Sequence, residues 1–388
     1  MIRKRYRFDA QFLTLSFFVF MPLVTFGAFL VVSLAKDKLQ SSVGQSLEQQ
    51  ALETKIVLER YIGERIVHLR LLSQDPLVTS AVLDRRRLSP DRIERLERAW
   101  LSGQPVELTA SFLATPLAAR LRETTRLLPA IRLLQIVDTD GLLVSSSARA
   151  GSLFLDDRPW FAAMARNELS GAYVGEIGRA TTHAPGFLEI AYPIVHPHAG
   201  YWIGAVCGFV STSDLYAVLA PVRIGQTGRA LLLRSSDGLI LASDETERVL
   251  RDTFSGFSSI RTGMQARQGY WIIPRQTEWS RALGVSYTQP ARLIGFTLVD
   301  QVPDVRWIVV VEQSLDEATA PVRDVTHYLW IHFLGTLAAV ALLSAFLSLR
   351  QERPIIEEAL HLHEDHVPPS MRPGLPDKKN DDKPAAPF

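Results

Sequence analysis

Residues 133–147 read LLQIVDTDGLLVSSS and residues 230–244 read ALLLRSSDGLILASD. Each is an apolar run, an Asp-Gly pair and a second apolar run. Asp-Gly accepts the positive φ of a tight turn, so each stretch predicts two strands joined by a hairpin. The two align with Asp140 on Asp237 and Gly141 on Gly238, which makes the unit a tandem repeat. Further strand candidates complete each copy: residues 189–195 and 202–210 for the first, 293–299 and 307–312 for the second. The GQTG at 225–228 marks the joint. The expected fold is α+β, two antiparallel sheets with helices on one face.

Upstream, Leu39, Val43, Leu47, Ala51, Leu58, Ile62, Ile66 and Leu69 recur at steps of three, four or seven. That spacing predicts one long helix, free of proline from Lys36 to Asp75 and stopped by Pro76. A second helical patch covers 91–100, with Ser89 and Pro90 as cap and first-turn residues.

Two uncharged blocks lie near the ends, at residues 12–35 and 328–349. The first spans roughly 36 Å as a helix, enough for a hydrocarbon core of ~30 Å. Arg3, Lys4, Arg5 and Arg7 precede the first block, and Arg350 and Arg353 follow the second. The positive-inside rule then predicts a two-pass protein of the membrane lipid bilayer, with both termini cytoplasmic and residues 36–327 outside. A cleaved signal peptide is the alternative for the first block. Gly335, Ala338, Ala339, Ala341 and Ala345 give the second block small residues at helix-packing spacing. Residues 1–11 form the cytoplasmic N-terminus, and the proline-rich 350–388 reads as a disordered tail.

Composition narrows the function. Lys+Arg (42) and Asp+Glu (41) nearly cancel to a net charge of +1, which argues against nucleic acid as a partner. A hydrophobic content of 47% excludes disorder for most of the chain. Cys207 is the only cysteine, so no internal disulfide forms, and its apolar setting reads as a buried small hydrophobe. Neither a Gly-x-Ser-x-Gly elbow nor a phosphate loop occurs, and no enzyme activity is expected. His183, His196 and His198, and His361, His363 and His366 beside Glu364 and Asp365, lack metal-site spacing. No metal or cofactor is expected.

Three stretches carry a resemblance. They are DRPWF at 157–161 followed by GAYV at 171–174, IGQTG at 224–228 ahead of SDG at 236–238, and VRWIVVVE at 305–312. Taken in order over about residues 36–320, they resemble the double Cache sensor domains of bacterial chemoreceptors, sensor kinases and cyclases. The resemblance implies a long N-terminal helix and two tandem PAS-like antiparallel-sheet modules, flanked by two transmembrane helices of the bacterial inner membrane. The membrane-distal module would cover about 36–220 and the proximal module about 221–320. It also implies a small-molecule site in the distal module. There Arg158 would clamp an anion, Trp160 and Phe161 form walls, Tyr173 offer its hydroxyl, and Glu176 and His183 lie at the rim. An Arg flanked by rings suits that task, because its planar fork pairs a carboxylate while the rings enclose an organic body.

One departure bears on the ligand. Where amino-acid-binding members of the family place an Asp to hold the ammonium, this chain has Phe209. An apolar ring does not compensate a buried cation, so an organic acid is expected over an amino acid. Residues 350–388 are too few for a kinase, cyclase or methyl-accepting module. The expectation is therefore a sensor that signals through a separately encoded kinase, cyclase or chemoreceptor component, with a homodimer formed through the long helix. The alternatives are an envelope binding or scaffolding protein without transmembrane signalling, and a receptor that lost its output domain.

Overall fold

The computed structural model describes residues 10–84, 90–102, 112–149, 151–166, 171–177, 186–280 and 283–351. The chain divides into one unit, Lys36–Pro321, and another made of Met1–Ala35 with Val322–Phe388.

Helix α1 (Ala10–Ser73) contains the expected apolar stripe. Leu47, Ala51, Leu58, Ile62 and Leu69 are buried, with Val43 and Ile66 packed beside them. Each buried Leu or Ile contributes about 1.5–3 kcal/mol of transfer free energy. The helix ends ahead of Pro76, which opens α2 (Pro76–Leu83); there Asp75 caps the first turn by accepting the Leu77 amide at 2.9 Å. Helices α3 (Pro90–Leu101) and α4 (Pro116–Leu127) follow. The proposed cap Ser89 lies outside the described residues.

The first sheet contains β1 (Ile131–Asp138), β2 (Leu143–Ser146), β3 (Tyr173–Val174), β4 (Phe187–Val195) and β5 (Trp202–Ser211), in the order β2-β1-β5-β4-β3. The short helix α5 (Pro159–Ala165) lies between β2 and β3, and α6 (Thr212–Leu219) follows β5. The second sheet uses β6 (Arg229–Arg234), β7 (Ile240–Ala242), β8 (Gln268–Ile273), β11 (Arg292–Val299) and β12 (Trp307–Ser314). Its order is β7-β6-β12-β11-β8, the same path as the first sheet once the separate hairpin β9 (Gln276–Ser280) and β10 (Val285–Gln289) is set aside. Helix α7 (Phe257–Gly263) lies between β7 and β8. All neighbouring strands in both sheets pair antiparallel, and the repeat read in the sequence is the β1–β2 and β6–β7 pair.

Both Asp-Gly turns place glycine in the left-handed region, at φ 79° for Gly141 and 71° for Gly238. The anchoring carboxylates differ between the copies. Asp237 Oδ1 accepts the Leu239 amide at 3.2 Å, whereas in the first copy Asp138 accepts from the Asp140 and Leu142 amides.

Strand alternation sends Val206 and Val210 of β5 into the core shared with α1, and Ala205, Cys207 and Phe209 to the opposite face. The helix crosses both sheets over glycine. A side chain at Gly295 of β11 would meet the Leu47 and Glu48 backbone at 2.2 Å, and one at Gly208 of β5 would meet Leu69 Cδ2 at 3.0 Å. Lys55 Nζ binds Asp300 Oδ1 at 2.6 Å, and Glu59 accepts the Asp300 and Gln301 amides, fixing the helix to the loop after β11.

After β12 come α8 (Leu315–Ala318) and α9 (Ala320–Gln351). Among the described residues, one stretch is long and apolar enough to cross a membrane, Ala320–Leu343. It begins earlier than the expected block at 328–349, because residues 320–327 continue the same helix. The expected first span, 12–35, falls in the start of α1. In the terminal unit, an apolar groove of about 290 Å³ is lined by Val24, Ala28 and Phe29 on one helix and Leu329, Trp330 and Phe333 on the other. Gly335 faces open space, so the small-residue stripe is not what lines this groove.

Candidate functional site

The outer face of the first sheet, opposite α1, holds the candidate site. Pro159 at the first position of α5 holds Arg158 in an extended conformation, φ −78° and ψ 139°, just ahead of the helix. The helix turn then sends Trp160 inward, where it is fully buried, and leaves Phe161 half-buried above it. Trp160 and Phe161 meet edge to face at 5.9 Å, Phe161 meets Trp202 of β5 at 5.5 Å, and Phe187 of β4 meets Phe209 at 5.3 Å.

The polar centre of this face is Glu189 on β4. Its Oε1 accepts the Trp160 indole N–H at 2.9 Å, and its Oε2 lies 3.9 Å from Arg158 Nη1. Arg158 Nε lies 3.6 Å from Asp157 Oδ1. Both Arg158 approaches are too long for hydrogen bonds. Arg158 Nε and Trp202 Nε1 are buried with no hydrogen-bond partner among the described residues. Burial pushes the Glu189 carboxyl above its ordinary range, and neither the Trp160 hydrogen bond nor the nearby Arg158 charge fully offsets it. Buried donors without acceptors beside a poorly compensated carboxylate leave recognition capacity unused. The neighbouring Cys207 is fully buried, and burial pushes its thiol well up, so it stays protonated and unreactive.

The expected site residues separate into two groups. Arg158, Trp160 and Phe161 come together around Glu189. Tyr173, on edge strand β3, is half-buried; its hydroxyl pKa is raised first by burial and then by Asp304, Glu189 and Glu176. Burial raises the Glu176 carboxyl, and the charges acting on it are Arg234 and Asp237. Burial raises the carboxyl of Asp304, in the loop before β12, and the nearby Val174 amide partly offsets that rise. His183 lies outside the described residues. His196 Nδ1 accepts the amides of His198 and Ala199, an exposed turn arrangement that occupies its lone pair.

Glu189 and Trp202 were not singled out in the sequence. Glu189 had a signal, as the one charge inside the apolar strand FLEIAYPIV; Trp202 had none. Glu189 also corrects the ligand expectation. It stands directly opposite Phe209 in the β4–β5 register, so the site has a carboxylate even though Phe209 replaces the expected Asp. The reason for favouring an organic acid over an amino acid is removed.

No family model matches the chain. It is 25% identical over 190 residues to the methyl-accepting chemotaxis protein McpA of Pseudomonas putida, an alignment covering 47% of this chain and 26% of that protein. The chain thus spans about a quarter of that relative's length. Among solved structures, the ligand-binding domain of the Pseudomonas fluorescens chemoreceptor CtaA in complex with L-serine is 15% identical. That match covers 71% of this chain and 98% of the domain, at a TM-score of 0.45. The domain of the Pseudomonas aeruginosa amino acid chemoreceptor PctB in complex with L-Arg is 16% identical, covering 72% and 97% at a TM-score of 0.43. Two sheets of one strand order are carried in tandem on a single long helix, the arrangement that the resemblance to double Cache domains implied.

Proposed function

We propose that the chain is a membrane-anchored sensor whose Lys36–Pro321 unit lies outside the cytoplasm and binds a small molecule on the outer face of the first sheet. The carrying observation is the pairing, within one aromatic-lined patch, of an Arg158 fork with a buried unpartnered Nε and a buried carboxylate short of positive charge. An arriving carboxylate satisfies the first and an arriving ammonium the second. A small zwitterion such as an amino acid therefore fits better than either charge alone. Phe161 and Trp202 bound the organic body. The chemistry offered is recognition rather than catalysis.

The anchor is the apolar helix Ala320–Leu343, joined to the second sheet through β12. Ligand closure shifts β3, and Asp304 beside Val174 passes that shift to the loop preceding β12. A signalling component of kinase, cyclase or chemoreceptor type reads the displacement.

A thermal-shift screen tests the reading, because a ligand that binds only the folded state stabilises it by RT ln(1+[L]/Kd). The amino acids named for the CtaA and PctB domains are the first compounds to try. Arg158→Ala should abolish any hit, since one charge-assisted bond is worth about 1.5–3 kcal/mol, while leaving the apo melting temperature nearly unchanged. A large apo loss would make Arg158 structural and sink the assignment.

A further inference from the structure

The β9–β10 hairpin has no counterpart among the described strands of the first sheet, and its position follows from register. Ile273, the last residue of β8, pairs with Arg292 of β11, which pairs with Ser314, the last residue of β12. The hairpin, starting at Gln276, therefore springs from the end of the sheet at which β12 leaves for the apolar helix Ala320–Leu343. The six residues from Ser314 to Ala320 reach at most about 20 Å even fully extended, so this end of the sheet is tethered close to the start of that helix.

The hairpin's two faces differ. Tyr287 and Gln289 of β10 lie on one face, against the segment 244–248. Gln289 is buried, and the Tyr287 ring lies 5.7 Å from the Arg248 guanidinium. Trp279 pairs with Ser286, one position out of step with the Tyr287–Glu278 pair, and so belongs to the opposite face. That face also carries the exposed Thr277, Ser286 and Thr288. Trp279 is 66% exposed on this face, whereas Val285 shares the face of Tyr287 and Leu283 lines the groove beside Tyr287 and Gln289. A tryptophan of this exposure among hydroxyl side chains suits the headgroup layer of a bilayer, where an amphipathic ring rests at low cost.

We infer that the β9–β10 hairpin is a membrane-docking element, which seats Trp279 in the lipid–water interface. This rests on the reading that Ala320–Leu343 crosses a membrane. The hairpin then braces the second sheet on the bilayer surface, so that a displacement of β12 is measured against a fixed support.

Cys207 is fully buried, which allows single added cysteines to be labelled on the full chain. Trp279→Cys, Tyr201→Cys and Trp330→Cys, each carrying a bimane fluorophore, are reconstituted in nanodiscs of equal parts phosphatidylethanolamine and phosphatidylglycerol. Tyr201 lies 56% exposed after β4 and Trp330 within the apolar helix. The label at 279 should lose most of its emission to nitroxide-bearing lipids and little to aqueous iodide, with the label at 201 behaving oppositely. If 330 is quenched by lipid while 279 is quenched only by iodide, the docking proposal is overturned and the anchor reading survives. Lipid quenching at neither 330 nor 279 defeats both. Protection of 279 from both quenchers overturns the proposal in favour of a protein covering, a second copy included.

Discussion

The two sheets follow the same path, yet their outer faces are finished in different ways. In the second sheet, Leu231, Leu233, Ile240, Ile294, Phe296, Ile308 and Val310 close that face together with Phe254 and with Ile260 of α7. At its end, Glu312 has both oxygens occupied, Oε1 by Arg229 Nε at 2.7 Å and Oε2 by Arg292 Nη1 at 2.9 Å. In the first sheet the corresponding face carries rings, a guanidinium whose nearest acceptors lie at 3.6 and 3.9 Å, and a carboxylate with one hydrogen bond to tryptophan. Sheets of one topology therefore differ in how they treat buried charge: on one face a carboxylate lies within hydrogen-bond distance of two guanidinium groups, and on the other the guanidinium and the carboxylate stay beyond it.

The largest expected effect comes from opening the completed network. Glu312→Ala removes the buried carboxylate that Arg229 and Arg292 share, leaving Arg229 to Glu245 and Asp244 and Arg292 to Ser255, and removing one partner of a buried ion pair costs about 3–5 kcal/mol. Urea unfolding of the Lys36–Pro321 unit should show a loss of that size with an unchanged slope. A loss below about 1 kcal/mol, the value of an exposed pair, would mean that water already compensates the network and that the contrast between the faces is not energetic.

The next effect concerns the uncompensated face. Glu189→Gln keeps an acceptor for the Trp160 indole and removes the charge. Affinity for an amino acid should fall by about 1.5–3 kcal/mol, the worth of a charged hydrogen bond, while affinity for the matching deaminated acid should barely change. Titration calorimetry with such a pair separates the outcomes, and equal losses for both would remove the ammonium from the account. The pH dependence has a definite sign. Glu189's ordinary value is 4.5, and burial raises it in the folded state, so the folded protein holds this proton more tightly than the unfolded chain. Its contribution to stability therefore falls as pH rises from 4.5 through the raised folded value. Amino acid affinity should rise across the same window, since only ionised Glu189 pairs an ammonium. Glu189→Gln should flatten both curves.

How much of this was legible depended on whether a residue's role was periodic. The α1 stripe and strands β1, β2, β4, β5, β11 and β12 all lie in apolar runs, which burial against a partner surface makes readable. The edge strands β3 and β8 and the hairpin were missed. β3 has two residues, β8 pairs on one side only, and β9 and β10 mix Thr, Gln and Trp with no apolar alternation. In the site, the Arg158-Pro159-Trp160 run stood out because a proline fixes the geometry of its neighbours. Glu189 did not, because its meaning depends on Trp160 and Arg158, which are distant in sequence. Glu176 was placed at the rim by the resemblance alone; burial raises its carboxyl, and the charges that act on it are Arg234 and Asp237.

The smallest effects test how each sheet is fastened to the helix. Gly295 meets the Leu47 and Glu48 backbone, which yields only if α1 moves, so Gly295→Ala should cost about 1–3 kcal/mol by overpacking. Gly208 meets the end of the Leu69 side chain, and a small rotation of that leucine makes room for a methyl. Replacing glycine in a strand also removes an entropy penalty of about 0.5–1 kcal/mol, so Gly208→Ala should leave stability close to unchanged. Denaturant midpoints of the two variants side by side measure the difference. If the ranking holds, the second sheet grips α1 through backbone and the first through side chains, so the helix slides more readily against the binding module than against the one that leads to the membrane. Equal losses at both glycines would make α1 equally fixed to each sheet.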